Sequence, residues 1–70
     1  MWWLFEHLAD SLVHRRQYEV WVAAAAGQPY FMVAGQLTRR EALGAARRYA
    51  QTAPHVRVRV LDGRGAVVWG

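Results

Sequence analysis

The sequence predicts an α+β domain with an N-terminal helix, then a β-β-α-β-β unit with a four-stranded, mainly antiparallel sheet and one helix packed on a face. Alternating apolar and polar residues in residues 17–26 and 55–61 predict strands. A capping box at Thr38 and Glu41 predicts that a helix begins there, between the two strand regions. At 70 residues, we expect one domain over 1–70, with the N-terminal helix at 1–15 and the ββαββ core at 16–70.

Residues 2–14 have the apolar spacing of an amphipathic helix. Glu6, Asp10 and His14 fall on the polar side, and Arg15 and Arg16 follow at the end where positive charge suits the helix dipole. The apolar side carries Leu4, Phe5, Leu8, Ala9 and Leu12.

The first two strands are expected to form an antiparallel hairpin. Tyr18, Val20 and Val22 alternate with Glu19 and Trp21, which is a strand pattern. The alanines at 23–26 fit either a helix or a strand, and residues 27–29 supply the turn. The second strand is predicted over residues 30–33, stopping at residue 35.

Thr38 is the predicted N-cap of a helix that runs to about Gln51, and Pro54 blocks its continuation. Gly44 falls on the outer face, where the sequence offers no packing reason for it. The inner face is predicted to carry Ala42, Leu43, Ala46, Tyr49 and Ala50, and the outer face Arg40, Arg47, Arg48 and Gln51.

The last two strands are predicted over residues 55–61 and 66–69, joined by a glycine-rich turn at 62–65. In the first of them, Val56, Val58 and Val60 alternate with Arg57 and Arg59. The valines are expected to face the helix, which leaves the arginines on the opposite face of the sheet.

Every basic residue other than histidine is arginine, and the formal net charge is +4. Arginine suits bidentate contacts to phosphate or carboxylate, although an Arg- and Ala-rich composition also follows from a GC-rich genome. The chain has no cysteine, which excludes disulfides and thiolate metal sites. No apolar stretch is long enough for a membrane span, and no signal peptide pattern is present, so we expect a cytoplasmic protein without membrane contact.

The sequence predicts no enzyme, no small-molecule substrate and no cofactor. Its five acidic residues are scattered, and it has neither a nucleophile elbow nor a phosphate-binding loop. His7, Asp10 and His14 share one side of the N-terminal helix, but a solvated polar face explains them better than a metal site does. We therefore expect no metal.

Arginine and tryptophan side chains predict a nucleic-acid-binding face on the sheet. Arg57 and Arg59 lie about 7 Å apart on one strand face, Trp21 is expected beside them, and Arg64 is expected to assist from the turn. Arginine neutralises phosphates while tryptophan stacks on a base. Two alternatives stay open: a solvated face with the tryptophan covered by arginine stems, or burial of this face against the acidic N-terminal helix.

A protein-protein interaction module is the alternative function. Trp2, Trp3 and Phe5 are either core residues or anchors for a protein partner, and a sheet edge is a second contact surface. The partner is then a second copy in a homodimer, the target of a phage-encoded inhibitor, or a subunit of a larger complex. Insertion of this segment into a membrane interface is disfavoured, because its polar side is acidic.

Residues 18–49 resemble small AP2-like DNA-binding domains. An aromatic hairpin is followed by Thr38-Arg39-Arg40-Glu41-Ala42 at the start of the helix. The resemblance implies a strand-strand-helix fold whose outer sheet face reads a DNA groove, with Glu19 and Trp21 at the nearest corresponding positions. The chain departs from the pattern because the basic first strands are missing and a last hairpin with Arg57 and Arg59 is added.

Overall fold

A computed structural model of the protein describes residues 16–70. The predicted N-terminal helix lies outside these residues. So do the proposed partner-binding residues Trp2, Trp3 and Phe5, and the polar group of His7, Asp10 and His14.

Four strands and one helix make up the described part of the chain. Strand β1 spans Tyr18–Ala23 and β2 spans Phe31–Leu37; helix α1 spans Arg39–Thr52, and β3 and β4 span Arg57–Leu61 and Val67–Trp69. The sheet order is β2-β1-β3-β4, and every neighbouring pair is antiparallel. An α+β unit with a four-stranded antiparallel sheet and one helix is therefore confirmed.

Helix α1 links the two hairpins by crossing the sheet. Since β2 and β3 both run antiparallel to β1, they run parallel to each other and need a crossover connection. The helix supplies it and contacts β3, β1 and β2 on one face of the sheet. This places β1 and β3, the strands with the most regular alternation, at the centre of the sheet.

The core lies between α1 and the two central strands. Val20 and Val60 are fully buried, and Val22 and Val58 are nearly so. Ala42 and Ala46 of α1 are also fully buried against them. Small alanine side chains let the helix approach the sheet closely, and each buried valine contributes roughly 1.5–3 kcal/mol.

The capping box at the start of α1 is confirmed. The Glu41 backbone N–H donates to Thr38 Oγ1 at 3.2 Å, and the Thr38 backbone N–H donates to Glu41 Oε1 at 2.9 Å. The hydrogen bond from the Thr38 backbone, followed by that from its hydroxyl, lowers the pKa of the Glu41 carboxyl. These bonds satisfy donors that a helix start otherwise leaves without an intrahelical partner.

The predicted end of β2 at Gly35 is wrong, because the strand continues to Leu37. The register explains the difference: Tyr18 pairs with Leu37, but Val20 pairs with Ala34, so β2 has an extra residue between these pairs. Gln36 absorbs it with φ of 55°. Gly35 thus lies in an irregular stretch of the strand rather than at its end.

Replacing Gly44 with alanine should raise the free energy of unfolding by about 0.5–1 kcal/mol, because alanine loses less backbone entropy in a helix. A Cβ built at Gly44 has no neighbour within 4 Å, so the methyl group fits without strain. Urea denaturation followed by circular dichroism measures the change.

The matched control is Gly65→Ala, at a glycine that also has an open surrounding but whose φ is +81°. That variant should lose about 1–2 kcal/mol, because an L-residue is strained there. A Gly44→Ala protein no more stable than wild type would contradict the open, helical surroundings described for Gly44.

Candidate nucleic-acid interface

The sheet face turned away from α1, here the helix-distal face, carries the side chains that alternate with the core valines. In the β1–β3 ladder, Trp21 is opposite Arg59 and Ala23 is opposite Arg57. Both arginines are exposed. The predicted inward position of Val58 and Val60 is thus confirmed, and it follows from the two-residue period of a strand.

Trp21 lies half-buried at the centre of the helix-distal face. Its two cross-strand neighbours are Arg59 on β3 and Met32 on β2, and Met32 is 49% exposed. The indole Nε1 donates a hydrogen bond to Glu19 Oε1 at 3.1 Å, two residues earlier on the same strand. This bond restrains the ring, so Trp21 forms a fixed apolar surface between a cation and a thioether.

Tyr30 belongs to the same surface, although sequence reasoning did not include it. The Arg59 guanidinium carbon lies 4.3 Å from the centroid of the Tyr30 ring. Since Val22 pairs with Phe31, the residue before Phe31 lies beside Ala23, and the Arg59 side chain reaches it across β1. Cation–π contacts of this kind contribute about 0.5–1 kcal/mol at exposed sites. We call Trp21, Tyr30, Met32, Arg57 and Arg59 the sheet cluster.

The three carboxylates of residues 16–70 accept hydrogen bonds from groups other than Arg57 and Arg59. Glu19 accepts from Trp21, Glu41 accepts from the N-cap residue, and Asp62 accepts from two backbone amides of its own turn. Eight arginines share this part of the chain with these three acids. The described region is therefore strongly basic.

Arg64 lies apart from the sheet cluster. It is exposed in the turn that follows β3, whereas Arg57 begins that strand. The pair formed by Glu19 and Leu61 lies at the end of the β1–β3 ladder nearest the turn. The structure therefore brings Arg57, Arg59 and Trp21 together but does not bring Arg64 to them.

The turn that carries Arg64 is held by one side chain. The Asp62 carboxylate accepts from the backbone N–H groups of Arg64 at 2.9 Å and of Ala66 at 3.0 Å. Gly65 has φ of +81°, and Gly63 packs so closely on the Gln17 side chain that a Cβ would collide with it. The hydrogen bond from Ala66, followed by that from Arg64, lowers the pKa of Asp62.

Arg40, Arg47 and Arg48 are exposed on α1, which packs on the opposite face of the sheet. Their side chains and the sheet cluster therefore occupy opposite sides of the domain, as expected from the sequence. They provide a comparison set of arginines that carry the same charge on the other side of the domain.

Within residues 16–70, no group of three or more His, Cys, Asp or Glu side chains is placed to hold a metal ion. The same part of the chain has no helix with the length and hydropathy needed to cross a membrane.

Comparison with known proteins adds no family. No protein-family model matches the chain, and neither the curated proteins nor the solved structures that were searched include a match.

The hydrogen bonds of the 62–65 turn predict an acid-sensitive contribution to stability from Asp62. Because its folded pKa lies below the ordinary value of about 3.9, this contribution is complete above about pH 4 and is lost as the pH falls through the folded pKa. We expect Asp62→Asn to reduce stability at neutral pH and to lose less stability on acidification than wild type does.

Urea denaturation at a series of pH values from neutral to acid measures both effects. Glu41→Gln is the control, because glutamine preserves the capping box while leaving Asp62 ionisable. If acidification lowers the free energy of unfolding equally in wild type and in Asp62→Asn, the proposed role of this carboxylate is wrong.

Proposed function

We propose that this protein is a small, non-enzymatic binding module that associates with nucleic acid through the sheet cluster. The observation that carries the proposal is the exposure of Arg57 and Arg59 beside Trp21, on the face of the sheet opposite the packed valines.

The two side-chain types supply complementary parts of nucleic-acid binding. Guanidinium groups neutralise phosphates and release condensed counterions, which gives affinity without requiring a particular sequence. An aromatic ring adds base stacking, which tolerates every base because each has a π-face. The basic excess of residues 16–70 strengthens the attraction at longer range.

The scaffold lowers the entropic cost of binding. The β1 and β3 strands pair at five consecutive positions, and the cluster residues Trp21, Arg57 and Arg59 all belong to that ladder. The hydrogen bond of Trp21 to Glu19 and the contact of Arg59 with Tyr30 restrict two of these side chains before a ligand arrives. Less rotamer freedom is then lost in the complex.

A protein partner is the second candidate, favoured by apolar side chains at the outer strands. Phe31 and Met32 on β2 are 56% and 49% exposed, and Val67 on β4 is 50% exposed. Strand β2 is an edge of the sheet. A second copy of the chain that packs on β2 would cover Phe31 and Met32, as in a homodimer.

The nucleic-acid proposal predicts steep salt dependence that comes from Arg57 and Arg59. The logarithm of the binding constant for a labelled oligonucleotide should fall linearly with the logarithm of the salt concentration. The slope should steepen by about 0.7–0.9 for each phosphate contact. Arg57→Ala/Arg59→Ala should therefore weaken binding and reduce the slope by about 1.4–1.8. Fluorescence anisotropy with single-stranded and duplex oligonucleotides measures both quantities.

Arg40→Ala/Arg47→Ala is the matched control, because it removes two exposed arginines from α1 and leaves the sheet unchanged. It should keep most of the slope of the wild type. Absence of binding at low salt, or equal losses in the two double variants, would refute a role for the sheet cluster.

The protein-partner candidate predicts a species of twice the 8.0 kDa chain mass in light scattering. Phe31→Lys should dissociate it, because a charge at the edge strand must be desolvated in the contact. Val67→Lys places the same charge on the opposite edge and should leave the dimer intact. A monomer at every concentration would rule out the homodimer.

A further inference from the structure

The sheet cluster combines two cations with aromatic and apolar groups. Its two arginines both come from β3, whereas Trp21 and Met32 come from β1 and β2. Strand β2, Phe31–Leu37, has no charged residue along its length. The Arg59 guanidinium nevertheless lies over the Tyr30 ring, across β1, so positive charge and aromatic groups are interleaved on the helix-distal face.

Trp21 contributes a ring face rather than a hydrogen bond. Indole is a donor only, through Nε1–H, and that donor already bonds Glu19 Oε1 at 3.1 Å. The side chain has no further polar group with which to read the edge of a base. Stacking is the interaction left to it, and stacking requires a base whose face is exposed.

Glu19 limits where phosphates are accommodated. Its carboxylate lies two residues from Trp21 on the same strand face, at the end of the β1–β3 ladder that lacks the two arginines. A phosphate over Glu19 is repelled, while one over Arg57 or Arg59 is attracted. The helix-distal face thus attracts phosphates only over the short stretch around Arg57 and Arg59.

Duplex and single-stranded nucleic acids differ in the number of phosphate rows and in the part of each base that they expose. A groove of a duplex is bordered by two phosphate rows, and its bases present edges because their faces are stacked. A single strand has one phosphate row, and its bases can be splayed onto aromatic side chains. Two arginines beside one stacking surface match the second arrangement.

We propose that the ligand of the sheet cluster is single-stranded nucleic acid, with its phosphates held by Arg57 and Arg59 and a base stacked on Trp21. This inference rests on the proposed nucleic-acid binding and specifies the class of ligand.

The test compares wild type with two variants at one position. Trp21→Phe keeps an aromatic face, and Trp21→Leu keeps an apolar side chain without one. Each protein is titrated against a mixed-sequence oligonucleotide as a single strand and as a duplex with its complement, in DNA and RNA forms, by fluorescence anisotropy. Circular dichroism confirms that both variants retain the fold of the wild type.

We expect wild type to bind the single strand at least about tenfold more tightly than the duplex, for at least one of the two sugars. Trp21→Leu should weaken single-strand binding by about 5- to 150-fold, the effect of losing one stacked base. Its salt slope should stay unchanged, because both arginines remain. Trp21→Phe should bind nearly as well as wild type.

Two results distinguish failure of this inference from failure of the proposed function. Duplex binding as tight as single-strand binding, or equal losses in Trp21→Leu and Trp21→Phe, would overturn the single-strand assignment while leaving nucleic-acid binding in place. No binding of either form at low salt would overturn both.

Discussion

Burial of four valines between the sheet and α1 is the constraint on which the helix-distal face depends. Val20, Val22, Val58 and Val60 come from two central strands and pack on the alanines of α1. Because successive side chains of a strand point to opposite faces, this burial fixes the intervening residues on the other side. A register shift by one residue would place arginines in the core, at a cost far above what a domain of this size tolerates.

Local patterns predicted the parts of the fold that local interactions determine. The alternation in β3 predicted the outward direction of Arg57 and Arg59, and the capping box predicted the start of α1. The end of β2 was predicted wrongly, because it depends on how Gln36 fits against β1. A glycine near a strand end suggests termination, and only the pairing partner shows that the chain continues.

The candidate site was also predicted only in part, because some of its contacts depend on how the strands pair. Arg57, Arg59 and Trp21 were identified from single-strand patterns, and strand pairing placed them side by side. Tyr30 was missed because its contact with Arg59 crosses β1 and involves residues far apart in the sequence. Arg64 pairs with no strand residue and lies in the turn that follows the end of β3. The closeness of Arg59 and Arg64 in the sequence did not reveal that they lie apart in the fold.

The irregular course of β2 affects how the domain behaves at high concentration. Its register against β1 shifts twice, between Tyr18 and Val20 and again between Val20 and Trp21. An edge strand interrupted in this way does not present an even row of amides and carbonyls, which is what endless stacking of one chain on the next requires. The irregular backbone of β2 thus disfavours strand stacking at the edge where Phe31 and Met32 are exposed.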